Sequence, residues 1–465
     1  MSFTYKLTYN GFKIDWFAYC FPNRRSDTTL VEINLDFAAQ EHSPYPQQAA
    51  SIRDILVNSG ILTAEQTFPE QSLPDDSLDR HAALLAEATL LLQNKVGHRV
   101  SVFSISAGNT ENQRRILVEH QHCDVGMTAV KLAIELVLGK RKLLAEPFRL
   151  FAAFARERIV PADTAALIAA AQRRDIPVLR MEHHPYSHNR ASFKEITGGS
   201  CIRQNGLLML GHGAHQHVLD GMFCLDRSAK FKHLLTNRQA RLAMLEHIGL
   251  PLVKNENHRG STTGQIHVLS INGKIITAIQ RDGNGWLRPG DLSETVLNHV
   301  LKISREFGFA PVVVTLAHND AAIVDFDLAP ELDRYLSPDT GAGEKYLLAA
   351  AENIIDWLFA DKAQARMPVI AITGTNGKTT TTRMINHVLK HAGRNPGMTC
   401  TDGAYFDGQQ IAEGDHGAYA GHLKVLTHKG AGIAVLETHH AGILYRGFAF
   451  DWCDIGICLN VTEDH

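Results

Sequence analysis

Several features that would place this chain quickly are scarce. Cysteine is sparse: seven residues in 465, at Cys20, Cys123, Cys201, Cys224, Cys400, Cys453 and Cys458, odd in number and without a close CxxC pair. That speaks against a disulfide framework. It suits small buried thiols in a reducing cytoplasm, the expected location. No apolar run is long enough to span a bilayer, and Met1-Ser-Phe-Thr-Tyr-Lys lacks the charged-then-apolar order of a secretory signal. An excess of one charge sign is also missing: the formal net charge is −3, so no nucleic-acid or membrane-surface partner is expected. The 25 histidines form no HExxH or Cys/His framework, and the pairs His183-His184 and His439-His440 read as loop or surface residues rather than ligands. Low-complexity tracts and internal repeats are absent as well.

What is present is an ordinary globular composition, 45% apolar and 20% charged, in a chain long enough for about three domains. In the first, residues 1–205, alternation around Tyr5–Trp16 and Leu30–Phe37 predicts strands, as do Val100–Ser106, Gln113–His120 and Pro177–Met181. Helical spacing predicts helices over Ser77–Lys95, Gly126–Leu138 and Thr164–Gln172. In the second, residues 206–362, a helix over Leu234–Ile248 stops at Gly249 and Pro251. Asn272-Gly273 turns a hairpin between Ile266–Ser270 and Lys274–Gln280. Leu292–Phe307 and Glu344–Phe359 follow as helices, with strands at Pro311–Leu316 and Ala322–Leu328.

The third part, residues 363–465, carries the chemistry. An apolar run, Pro368 to Ile372, predicts a buried parallel strand. The turn Gly374-Thr-Asn-Gly377-Lys378-Thr379-Thr380 follows at once, then the helical Arg383–Lys390. Strand, glycine loop and helix start are the geometry of a P-loop that binds a nucleoside triphosphate. Helix-terminal N–H groups face the phosphates and the helix dipole favours their charge. Lys378 reaches the outer phosphates and the Thr379 hydroxyl suits Mg²⁺. Gly374 and Gly377 allow close backbone approach. The spacing is shorter than the general pattern, since Ile372 stands where its first glycine would fall. Ile433–Glu437 and Ile455–Val461 read as further strands of a parallel sheet buried on both faces. Glu437 and Asn460…Asp464-His465 then lie at strand C-termini, where α/β sites form. Taken singly, each also fits a helix cap or a solvated loop.

Gly374-Thr-Asn-Gly-Lys-Thr-Thr380, Glu437 and Asn460…Asp464-His465 together resemble the central domain of the Mur ligase superfamily. Pro396–Gly403, Gly414-Asp415, Leu436-Glu-Thr438 with Ala441–Leu444, and Phe450–Gly456 are similar to its cyanophycin synthetase branch. Glu119–Gly126 with Ala133–Leu136 resembles that branch's N-terminal domain, and Asn205–Gly213 the entry to its ATP-grasp domain. The resemblance implies a multidomain α/β protein: an α/β N-terminal domain, an ATP-grasp-like α+β segment and a Mur ligase central domain. It implies an ATP- and Mg²⁺-dependent carboxylate–amine ligase working through an acyl-phosphate, joining an acidic peptide or polyaspartate-like acceptor to an amino-acid amine, as a homo-oligomer. Residue by residue, Lys378 stabilises the moving phosphoryl group, Thr379 and Glu437 hold Mg²⁺, and His465 matches a second metal position. Gly374, Thr375, Asn376, Gly377, Thr380 and Asn460 complete the nucleotide contacts.

Three departures shape the expectation. Leu250–Gly264 runs almost directly into the hairpin at Ile266, so the ATP-grasp lobe is largely deleted. Asp325-Phe-Asp327 stands where the branch has a Glu-x-Asn metal pair, and residues 206–362 are expected to be a degenerate, mostly structural domain. The sequence stops at His465, directly after a strand, so a partial central domain of a longer ligase is expected, inactive by itself. Thr438-His-His-Ala-Gly442 has histidine where the branch carries arginine, which loosens any inference about the amine. The alternatives are a non-catalytic nucleotide- or polymer-binding scaffold, or another amino-acid ligase of the Mur superfamily.

Overall fold

The computed structural model describes residues 5–9, 12–19, 29–36, 49–69, 74, 76–180, 207–228, 231–253, 265–280, 285–317, 321–336, 341–359, 365–446 and 448–463. Two compact units emerge. One comprises Met1–Ile159, Val369–Val425 and Ala434–His465, the other Val160–Pro368 and Leu426–Ile433. No helix among the described residues is long and apolar enough to cross a membrane.

The N-terminal part of the first unit is a five-stranded antiparallel sheet. Its strands are β1 (Tyr5–Tyr9), β2 (Phe12–Tyr19), β3 (Leu30–Asp36), β4 (Phe103–Ala107) and β5 (Gln113–Glu119), in the order β1-β2-β3-β5-β4. Helix Ser77–Lys95 begins where the sequence predicts, because Asp76 accepts the Leu78 and Asp79 N–H groups at 2.9 Å. Helix Cys123–Val137 starts three residues earlier than predicted, since the His122 ring accepts the Asp124 N–H and caps it. These two helices bury Leu84, Leu85, Val130 and Ile134 in one core with Val31, Ile33 and Ile116 of the sheet. The unit also contains helices Ala49–Asn58 and Ala145–Arg156, beyond those predicted from the sequence.

The second unit holds two sheets. Strands β6 (Val178–Arg180), β7 (Leu207–Leu210), β8 (His217–Asp220) and β9 (Phe223–Cys224) pair in sequence order. The other sheet orders β12 (Gly285–Leu287), β11 (Lys274–Gln280), β10 (Ile266–Ile271), β13 (Val312–Leu316) and β14 (Ile323–Asp327). The predicted hairpin is there: Asn272 and Gly273 take φ of 52° and 71°, the left-handed pair of a two-residue turn whose twist matches the strands. The predicted helix Leu234–Ile248 is broken into Lys232–Thr236 and Arg238–His247, because the Asn237 side chain caps the second piece on the Ala240 N–H.

The remaining part of the first unit is a six-stranded sheet, β18-β17-β16-β19-β15-β20. It comprises β15 (Val369–Thr373), β16 (Pro396–Cys400), β17 (Gly403–Phe406), β18 (Gln409–Glu413), β19 (Ile433–Glu437) and β20 (Ile455–Cys458). β15 lies between β19 and β20 and is parallel to both. β16, β17 and β18 form an antiparallel meander. One expectation is corrected. β19 is buried, but β20 is not buried on both faces: it is an edge strand with Ile455 51% exposed, since no described strand pairs with its outer side.

Candidate functional site

The site grows from the end of β15. Gly374, with φ of 136°, turns the chain out of the strand, and Gly377, with φ of 85°, turns it into helix Lys378–His391. A Cβ on Gly374 would lie 3.1 Å from the Asn460 backbone N and O. Glycine is needed there both for its backbone angle and for the closeness of the segment after β20. That segment holds the loop. Thr375 N–H donates to the Asn460 carbonyl at 2.9 Å, Asn376 N–H to Asn460 Oδ1 at 2.9 Å, and Asn460 Nδ2 to the Asn376 carbonyl at 3.2 Å. Thr462 N–H donates to Thr375 Oγ1 at 3.1 Å. An α-helix leaves its first N–H groups without intrahelical partners, and its N-terminal dipole attracts anions. Lys378 Nζ donates to the Gly374 and Thr375 carbonyls at 2.7 and 2.9 Å, which keeps the ammonium over the loop.

Two strand ends bring in the acid. Thr379 Oγ1 donates to Glu437 Oε2 at 2.9 Å, and the Thr401 hydroxyl, in the turn after β16, lies 3.2 Å from Thr379 Oγ1. Glu437 is 1% exposed, yet its Oε1 has no hydrogen-bond partner among the described residues. His439 Nε2 stands 3.7 Å from that oxygen and 3.5 Å from Asp415 Oδ1. A buried carboxylate oxygen without a donor is costly unless a cation meets it. The donor set therefore fits a hard divalent ion held by Thr379 and Glu437, and the loop with Lys378 fits a polyphosphate. Beneath, His422 Nε2 donates to the Glu437 carbonyl at 2.8 Å. Thr379, Thr380, Arg383 and Asp402 line an open cleft of about 490 Å³ that continues along the helix.

Of the sequence-predicted residues, Gly374, Thr375, Asn376, Gly377, Lys378, Thr379, Thr380, Glu437 and Asn460 converge on one end of β15, β19 and β20. His465 and Asp464, like His183-His184, lie outside the described residues. Thr401, Asp415 and His422 received no role from the sequence. Thr401 and Asp415 sat within family-like stretches, whereas nothing around His422 pointed to the site.

The acidic pair Asp325 and Asp327 is committed elsewhere. Arg241 clamps Asp325 with two 2.8 Å hydrogen bonds. Asp327 Oδ1 accepts the Ala329 N–H at 2.9 Å, and burial pushes its carboxyl above the usual range.

Residues 372–465 match the Mur ligase middle domain. The chain is 39% identical over 150 residues to a cyanophycin synthetase of Geminocystis herdmanii, covering 32% of this chain and 17% of that protein. A Synechocystis cyanophycin synthetase is 37% identical over 150 residues, with the same coverage. A UDP-N-acetylmuramoylalanine–D-glutamate ligase of Zymomonas mobilis is 32% identical over 107 residues, 23% of this chain and 20% of that protein. The matched stretch thus spans a fifth or less of each relative's own length. Residues 372–465 thus carry a Mur ligase middle domain, and over that stretch the chain is similar to enzymes of the Mur ligase superfamily.

Proposed function

We propose that the chain serves an ATP- and Mg²⁺-dependent carboxylate–amine ligase of the cyanophycin synthetase type, with its working centre at the glycine loop. The observation that carries this reading is the Thr379–Glu437 contact at 2.9 Å, with the second Glu437 oxygen buried and open. A carboxylate behind a threonine at a helix N-terminus is the donor pair that phosphoryl transfer uses for its cation. When bound, Mg²⁺ supplies charge neutralisation for the phosphates. The chain's own groups do the rest. Loop N–H groups and Lys378 position and neutralise the outer phosphoryl group as it moves to a carboxyl oxygen of the acceptor. The amine then displaces phosphate from the acyl-phosphate. The acceptor class is an acidic or polyaspartate-like peptide and the amine an amino acid, by analogy with the cyanophycin synthetases that the sequence matches.

The test is ADP release by the complete gene product, screened against short aspartate peptides with arginine, lysine and other amines. Release that needs both an acidic peptide and an amine supports the ligase. Lys378→Ala lowers that rate roughly 10³-fold if the ammonium neutralises the moving phosphoryl group. Turnover that survives this substitution overturns the role of Lys378. ATP binding without turnover for every pair favours a nucleotide-sensing scaffold instead.

A further inference from the structure

In the unit built around Val160–Pro368, three donors of different chemistry converge far from the glycine loop in sequence. His217 opens β8, Cys224 closes β9, and Asp226 lies in the short helix Leu225–Ser228 that follows. β8 and β9 are antiparallel with Leu219 opposite Cys224, and His217 is two residues before Leu219. Strand periodicity therefore puts His217, Leu219 and Cys224 on one face of the sheet. The helix returns Asp226 to that face. One donor atom from each of the three residues lies within 4.8 Å of the other two.

The arrangement is already set. Asp226 Oδ2 is 2.7 Å from His217 Nδ1, and Asp226 Oδ1 accepts the Val218 N–H at 3.0 Å. The His217 ring also stands edge-on to Phe359, with centroids 5.2 Å apart. Cys224 is fully buried, whereas the His217 and Asp226 side chains keep 18% and 25% exposure, so approach from solvent is open on one side.

We infer that His217, Cys224 and Asp226 form a binding site for one divalent cation of the zinc class, with water as the fourth ligand. The donors decide the class. Sulfur and imidazole suit Zn²⁺ and Co²⁺, whereas Mg²⁺ takes oxygen. Three protein donors with one open side match a four-coordinate ion. Binding breaks the S–H bond, releases its proton to solvent and forms a metal–thiolate bond; nothing is oxidised or reduced. The ion clips β8 to the β9 corner.

Protein stripped with a chelator and dialysed is titrated with Zn²⁺ by calorimetry and with Co²⁺ by absorption. One tight equivalent and a thiolate-to-cobalt charge-transfer band in the near ultraviolet are expected. Cys224→Ser removes both, while Cys458→Ser, at an exposed thiol, removes neither. Asp226→Asn keeps the buried thiol in place and lowers zinc affinity roughly 10- to 100-fold. A wild-type protein without the band, or a band that survives Cys224→Ser, overturns the site. Unchanged affinity in Asp226→Asn removes the carboxylate from it.

Discussion

Gly374 and His422 show how single residues set the terms of the glycine loop. At φ of 136°, with Asn460 backbone atoms where a Cβ would go, Gly374 has no substitute. Gly374→Ala should cost roughly 1–3 kcal/mol of stability and displace the loop. Thermal unfolding reads the first effect and Mg·ATP titration the second; native nucleotide affinity in this variant would show that the loop tolerates a side chain. His422 is fully buried, and its Nδ1 has no partner among the described residues. Burial pushes its imidazole from 6.5 down to about 4, against the pull of the bond it gives to the Glu437 carbonyl. The unfolded chain therefore binds the proton first as the pH falls. The stabilisation is complete above pH 6.5 and is lost as the pH falls toward 4. Its size is about 3 kcal/mol. His422→Gln should flatten the acid-unfolding profile across that window; an unaltered slope would mean that the ring is not held neutral.

At the scale of elements, β15 and β20 are adjacent, yet they differ in what they contribute. Ile372 in β15 is fully buried, whereas Ile455 in β20 is 51% exposed. Ile372→Ala should cost roughly 2–5 kcal/mol and Ile455→Thr no more than about 0.5 kcal/mol, read by urea unfolding. Equal costs would mean that β20 is covered in solution. The sequence made β15, the glycine loop and Glu437 legible, because an apolar run, two glycines and a helix start are local signals. The bare outer face of β20 was not legible, since its composition matches that of a buried strand and only neighbours decide exposure. Other elements carry local signals of the same kind. Asp407-Gly408, with φ of 46° and 82°, carries the Asp-Gly signature of the turn between β17 and β18. Phe148, Phe151, Ala152 and Ala155 fall at helical spacing in Ala145–Arg156. The break in Leu234–Ile248 hinged on one asparagine side chain choosing the backbone over solvent, which periodicity does not report.

For the whole molecule, the two proposed sites, one in each unit and of different ligand chemistry, predict separable responses. A ligand at a hundred times its dissociation constant adds about 2.7 kcal/mol to whatever binds it. In scanning calorimetry, Mg·ATP should raise the transition of the unit that contains the glycine loop, and Zn²⁺ that of the unit that contains His217. Removing each with a chelator or a nucleotide-hydrolysing enzyme should reverse it. A single transition moved by both would mean that the units melt as one. The hydrogen bonds between Asn376 and Asn460 join residues 84 apart in sequence. A ribosome therefore delivers the loop well before the segment that braces it, and closing so wide a span has an entropic cost that local turns escape. Competence for nucleotide is thus expected to arise with the arrival of Asn460 rather than with the emergence of the glycines themselves.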